Sequence, residues 1–294
     1  MKASVLLRCA LDELFDYTLY LKMSSSEKNP RNRKLFSELA QQEYEHYLFW
    51  SKFTGPLKLS LRDNVKVKLL LAASRILGKV FIVKYLESKE RTTSEIYRRL
   101  IDDPRFTEED KGTLKKIVED EEAHEKEFLN QVDEYAVRYL GSMALGMSDA
   151  MIEMSGVLAG FLGFTESSVQ TGIAGLIVGV SASMSMAAAS FLQAKHEIGK
   201  KPGSAALTTG IFYLSTVGLL TLPFFTGLSM LVALMFSMLL ALAVLAAFTF
   251  YSSTILGGKF LREYFENMLV IILVVAAGFI FGDIVKELAG MTHI

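Results

Sequence analysis

EDEEAHEKEFL, residues 119–129, lies within a longer run from Leu114 to Tyr135. Its apolar and special residues fall at Leu114, Ile117, Glu121, His124, Phe128, Gln131 and Tyr135, in alternating steps of three and four. That rhythm predicts one helical stripe carrying core residues together with a Glu and a His. A carboxylate and an imidazole in an apolar stripe are costly unless something pairs with them. Glu-x-x-His sets an oxygen and a nitrogen one turn apart on one face, so a metal ion is the first candidate. Alone the motif says little, because acidic surface helices with a chance His are common. A second copy changes the weight: Phe36, Leu39, Glu43, His46, Trp50 and Phe53 repeat the rhythm with Glu and His again in the middle. The chain has four His, and two of them occupy equivalent seam positions.

Working outward, a first helix over about Ala3–Ser24 has the seam Leu6, Cys9, Glu13, Asp16, Tyr20 and Met23, which places Glu13 where a ligand would stand. Asn29-Pro30 ends it and Gly55-Pro56 ends the second helix. A third, Val80 to Ile101, has the seam Val80, Val83, Glu87, Glu90, Ser94, Tyr97 and Ile101, bringing two more carboxylates into a core stripe. Asp102-Asp103-Pro104 closes it, and Thr107-Glu108-Glu109-Asp110 opens the fourth with an N-cap and an acidic first turn. Between the second and third helices, Leu57 to Lys79 carries Lys58, Arg62, Lys66, Lys68, Arg75 and Lys79 against Asp63 alone. Such a segment reads either as a crossover within a bundle or as an amphipathic stretch suited to an anionic membrane surface.

One Glu from each of two helices with Glu-x-x-His from the other two is the di-iron carboxylate arrangement of four-helix bundles. Oxygen-rich ligands with two imidazoles suit iron, or manganese, better than a closed zinc site. On these residues, roughly 3–138 resemble the ferritin-like superfamily, its rubrerythrin-type (erythrin) domains in particular. The resemblance implies a di-iron site at Glu13, Glu43, His46, Glu87, Glu90, Glu121 and His124. No Cys-x-x-Cys pair is present for a rubredoxin-type centre, and the single Cys9 excludes an internal disulfide and a thiolate zinc site.

The second half is a different material. Residues 1–138 hold 25 of the 31 Lys and Arg and 24 of the 32 Asp and Glu, leaving six and eight for residues 139–294. Five apolar stretches, about 140–164, 169–193, 204–225, 228–250 and 268–288, each supply the ~20 residues that cross a bilayer. The fold class expected is therefore all-α, a ferritin-like four-helix bundle (1–138) followed by a five-span membrane domain (139–294). The start of the chain has no signal-peptide pattern. Arg138, Lys195, Lys200, Lys201, Lys259 and Arg262 fall in alternate loops, with Lys286 the one basic residue on the far side, at the end of the fifth stretch. Positive-inside counting puts the N-terminal domain in the cytosol and the C-terminus on the opposite side. Neither a basic patch with interleaved aromatics for nucleic acid nor a Gly-rich phosphate loop is present.

The first span reads GMSDAMIEMSGVLAG (146–160), with Asp149 and Glu153 four apart beside Met147, Met151 and Met154; the second offers Met184 and Met186 in SASMSMAAAS (181–190). Ionisable groups at membrane depth cost about 2.5–3.5 kcal/mol each, so a bare anchor should avoid them. Carboxylate with thioether sulfur suits Fe²⁺ better than Mg²⁺ or Ca²⁺. A helix-end pair and Met as packing filler are the plain alternatives. With Leu222-Pro223-Phe224, this wording resembles the vacuolar iron transporter family over roughly 138–290. The resemblance implies a homodimeric five-span transporter of Fe²⁺ (or Mn²⁺) exchanging it for H⁺ across the lipid bilayer of a prokaryotic cell membrane. Asp149 and Met186 would line the path and Glu153 would assist. The chain departs from that family where Ala189-Ser190-Phe191 replaces Gly-Glu-Tyr, and where Gln193–Gly203 is too short for the cytoplasmic metal-binding helices. Gly160, Gly172, Gly175 and Gly179 offer small faces, and Gly175-x-x-x-Gly179 reads as a candidate dimer seam. Glu197, Glu263, Tyr264 and Glu266 are candidate ion-handling acids at the cytosolic end, or ordinary loop residues. The expected function is Fe²⁺/H⁺ exchange that removes metal from the cytosol, with the bundle capturing, sensing or oxidising Fe²⁺; the rival is a ferroxidase that its spans merely anchor.

Overall fold

A computed structural model describes residues 3–288 except 102, 133 and 166, with side chains for all of these but 3, 4, 87–95, 122–127 and 129–131. It divides into two compact units, Met1–Val137 and Arg138–Ile294. Among the described residues every regular element is helical.

The first unit contains α1 (Ala3–Ser26), α2 (Pro30–Thr54), α3 (Leu61–Leu77), α4 (Lys79–Ile101) and α5 (Glu108–Gln131), with α6 (Tyr135–Arg138) following. The α1 seam holds throughout: Leu6, Cys9, Glu13, Asp16, Tyr20 and Met23 are all buried. In α2, Phe36, Leu39, Glu43, His46 and Trp50 are buried, while Phe53 lies at the rim. Local chemistry sets the boundaries. The Asn29 side chain accepts from the N–H groups of Arg31 and Asn32 with Pro30 as the first helical residue, so the turn that stops α1 also starts α2. Thr107 and Asp110 form a reciprocal capping box at the start of α5, as do Ser60 and Asp63 at α3. An aromatic cluster of Phe49, Trp50, Phe53, Tyr97 and Phe106 closes the bundle around Leu100, Leu114 and Ile117, with ring centroids 4.9–6.4 Å apart.

One expectation for this unit is corrected. The stripe from Leu114 to Tyr135 is not one helix: α5 ends at Gln131, and Tyr135 is half exposed at the start of α6. The chain leaves the helix because Glu134 has another partner. Its carboxylate accepts a hydrogen bond from the Val80 N–H at the start of α4 (3.1 Å). Gly78, between α3 and α4, has φ +87° and a space over it that a Cβ would share with Glu134 Oε1, so only glycine fits. Lys79 completes the clasp by donating to Met23 O and Glu27 Oε2. Between α2 and α4, the segment Leu57–Lys79 is mostly the helix α3, with Val67 and Ser74 as its buried residues.

The second unit contains α7 (Leu140–Phe164), α8 (Ser168–Ala194), α9 (Pro202–Thr221) with a 3-10 turn at Leu222–Phe225, α10 (Met230–Leu256) and α11 (Phe260–Leu288). All five helices are long and apolar enough to cross a membrane. Helix α7 is the centre, packing on α8, α9, α10 and α11 around Met151, Met154, Leu158, Tyr213, Val217, Leu220 and Leu245. Its tightest contact is with α11. A Cβ on Gly282 would overlap the Gly160 carbonyl oxygen, and one on Gly160 would lie 3.2 Å from the Gly278 oxygen. The backbones thus meet where facing glycines allow it. Gly175 and Gly179 are occupied within the chain, Gly175 against Met154, Leu158 and Thr221 and Gly179 against Val217, so this pair is an internal seam. Helix α11 starts eight residues before the fifth apolar stretch. Gly257, in the left-handed region at φ 74°, is the nearest helix stop, whereas hydropathy marks only the apolar portion.

Candidate metal centre

Glu13 from α1, Glu43 and His46 from α2, and Glu121 from α5 each offer one ligand atom, and these atoms all lie within 4.8 Å of one another. Glu13, Glu43 and His46 are buried, and Glu121 is half-buried. His46 Nδ1 stands 3.2 Å from Glu121 Oε1 and 3.6 Å from both Glu13 Oε2 and Glu43 Oε2. Although three carboxylates surround it, this buried nitrogen is in hydrogen-bond alignment with none of them. A nitrogen and three carboxylates gathered within 4.8 Å of one another, the nitrogen aligned with none of them, make a donor set that a cation would complete.

Charge leads to the same conclusion. Two unit charges 4 Å apart interact by about 4 kcal/mol at an effective dielectric constant near 20. Three ionised carboxylates sharing one pocket are therefore untenable without positive charge. Without metal the pocket holds protons. Burial disfavours the charged imidazole, yet the carboxylates of Glu121, Glu13 and Glu43 outweigh burial and raise the His46 pKa far above its usual value. Burial, with Glu121 beside it, pushes Glu43 well above the usual carboxylate range. Glu13 is buried too, but the adjacent His46, with hydrogen bonding from Glu43 and Tyr97, holds it below that range. Protons and metal compete for the same atoms, so binding displaces protons.

Two neighbours support the cluster, and a third is excluded as a ligand. The Tyr97 hydroxyl, fully buried, donates to Glu13 Oε1. Asp120 Oδ2 lies 3.7 Å from His46 Nε2, on the far side of the ring from the carboxylates, where it favours a proton on Nε2 and frees Nδ1. Burial, together with Glu13 and Asp12, pushes the Cys9 thiol up to about 12, so it is no thiolate ligand. Tyr97 could have been picked out as the one hydroxyl-bearing aromatic in the third seam. Asp120 had no such signal, since its place off the stripe made it look like part of a solvated acidic face. Glu87 and Glu90 in α4 and His124 in α5 have side chains outside the described residues.

In the second unit Asp149 and Glu153 are both half-buried on α7. The Tyr213 hydroxyl of α9 donates to Glu153 Oε2 at 2.5 Å. Met186 of α8 and Met147 pack against the core cluster that contains Met151, Met154 and Tyr213. Met184, by contrast, is 70% exposed and faces away. Tyr213, a hydroxyl within the third apolar stretch, was a signal available in the sequence and not used. At one end of these helices, a cavity of about 130 Å³ is lined by Ser142, Ser190, Gln193, Glu197 and Lys200. There the Thr209 hydroxyl lies 2.9 Å from Ser190 Oγ and 3.1 Å from the Ser142 carbonyl oxygen. Ser190, one of the departures from the transporter wording, therefore has a structural partner. Lys200 pairs with Glu197, which makes that acid a loop ion pair.

Compared with known families, residues 6–132 match the rubrerythrin family model, so the first unit carries a ferritin-like di-iron domain, and no vacuolar iron transporter model matches the chain. Searches of curated proteins and of solved structures find no match. The domain implies a di-iron site, and the donor set fits one: the carboxylates and the orphaned His46 Nδ1 form a buried, oxygen-rich half-site.

Proposed function

We propose that this chain is a membrane transporter of Fe²⁺, with Mn²⁺ as an alternative cargo, which exchanges the metal for H⁺ and removes it from the cytosol. The reading rests chiefly on one observation. An acid pair lies within an apolar helix able to cross a membrane, and one member is fastened by a buried hydroxyl, in a chain whose other unit is a rubrerythrin-type domain. A bare anchor gains nothing from two carboxylates at membrane depth, whereas an exchanger needs a group that takes either a proton or a cation. Asp149 and Glu153 fill that role, with Met186 as a soft donor and Tyr213 fixing the rotamer of Glu153. Lys and Arg in alternate loops favour a bundle on the cytosolic side. The likeness to vacuolar iron transporters, read from residues 146–160 and 185–187, brings with it a homodimer.

In the bundle, Glu13, Glu43, His46, Glu87, Glu90, Glu121 and His124 would hold a pair of iron ions, which when bound supplies redox chemistry that the side chains lack. Asp120 sets the tautomer of His46 and Tyr97 fixes Glu13. The bundle captures, senses or oxidises Fe²⁺ before release to the membrane unit. A second reading, a membrane-anchored ferroxidase, is favoured by the family match, which lies wholly within the first unit.

Proteoliposomes of wild type, Asp149→Ala and His46→Ala separate the two. An exchanger moves Fe²⁺ with a counter-flow of protons, loses flux in Asp149→Ala and keeps the membrane step in His46→Ala. An anchored oxidase moves no metal in any of the three and loses ferrous oxidation only in His46→Ala.

A further inference from the structure

Helix α3 has two faces. Val67 and Ser74 turn inward, and Leu61, Val65, Leu69, Ala72 and Ile76 turn out to water. Leu61 is 88%, Val65 54%, Leu69 65% and Ile76 87% exposed, a large display for one helix of a folded unit. At about 100° per residue these five positions fall within roughly 80° of one another, a continuous stripe opposite the buried face. Arg62 borders the stripe on one side and Lys68 and Arg75 on the other, with Lys58 just before the cap; all four are exposed. None of the four forms an ion pair among the described residues. Lys66 serves the bundle, its ammonium 4.5 Å from the Phe15 ring centroid. Asp63, the only acid of the helix, is spent on the cap.

We infer that the exposed face of α3 binds an anionic lipid surface. An apolar stripe with cations on both edges sinks into the headgroup boundary while its Lys and Arg reach phosphates. Each cation near such a surface strengthens binding about fivefold. A second copy of the chain fits the face poorly. Two-fold pairing of α3 with itself would set Arg62, Lys68 and Arg75 against their own kind, with no acid to answer them. The inference rests on the reading that the second unit lies in a bilayer. Eight residues, 132–139, then link the end of α5 to the start of α7, a tether of at most about 30 Å.

The test uses the full chain with a fluorophore on Leu69→Cys, reconstituted in phosphatidylcholine with and without phosphatidylglycerol, and with a nitroxide-bearing lipid as quencher. Cys9, buried and protonated, leaves the label to the introduced thiol. Leu239→Cys on α10 reports insertion, and Lys34→Cys on α2 reports an ordinary exposed surface. We expect Leu69 to be quenched several-fold more than Lys34 in the anionic bilayer, with the difference abolished by Arg62→Glu/Lys68→Glu and by high salt. An unquenched Leu69 beside a quenched Leu239 overturns the inference and leaves the membrane reading standing, whereas loss of both overturns both. Equal quenching in neutral lipid overturns the anionic assignment. Shielding from water without lipid quenching shows a second copy on the face, and also overturns it.

Discussion

His46 Nδ1 is a buried donor atom ringed by three carboxylates and aligned with none. If a cation is its partner, Tyr97→Phe should weaken Fe²⁺ or Mn²⁺ binding by about 10- to 100-fold, the usual loss for an outer partner. His46→Ala should cost more. Calorimetric titration of the chelator-stripped chain measures both, and equal affinities in all three proteins would refute the site. A pH dependence follows as well. The folded pKa of His46 is raised, so its contribution to stability is complete below the unfolded value of about 6.5 and is lost as pH climbs through the folded one. Glu43, also raised, has the same sign, because the unfolded carboxyl ionises while the folded one keeps its proton. Glu13, depressed, acts only at the acid end. The metal-free bundle should therefore melt lower at about pH 9 than at about pH 6, and the metal-loaded bundle should lose or reverse that trend. Thermal unfolding with and without chelator decides it.

Helices announce themselves in sequence when burial is one-sided. The α1 stripe from Leu6 to Met23 and the α2 stripe from Phe36 to Trp50 could be read directly, because a three-four rhythm has no other cheap meaning. The Thr107 cap was equally legible, and Thr107→Ala should destabilise the bundle by about 1 kcal/mol in denaturant unfolding. What the rhythm could not give was the partner across an interface. Tyr135 continues the α5 period arithmetically, but the contact of Glu134 with Val80 ends the helix first. In the second unit, small residues mark close contacts without naming the facing helix. Gly175 and Gly179 turn to α7 and α9, while the glycines of α7 meet Gly278 and Gly282, which no pattern had singled out. Gly282→Val should accordingly lower the melting temperature in detergent. Gly218→Ala, where a Cβ meets nothing within 4 Å, should leave it unchanged.

On the scale of the molecule, the division of charge pointed to two bodies; the chain divides into two compact units at Val137–Arg138, and the second contains five helices apolar enough to cross a membrane. It foretold less about chemistry. The clustering of Glu13, Glu43, His46 and Glu121 was legible from repeated Glu and His, whereas Asp120 and Tyr213 joined their sites only through tertiary packing. Separate bodies should melt separately. Metal at about a hundred times its dissociation constant should stabilise the bundle by about 2.7 kcal/mol and leave the second unit's transition in place. Differential scanning calorimetry shows whether one peak moves or two, and in His46→Ala neither should.

The chain has one tryptophan, and the fold seals it inside the bundle with its ring 5.1 Å from that of Tyr97. The five long apolar helices are therefore dark to red-edge indole excitation, and emission excited there comes from the bundle alone. Trp50 stands one helical turn from His46, so an open-shell ion held by the carboxylates should dim that emission, and filling and emptying can be followed optically with no dye attached.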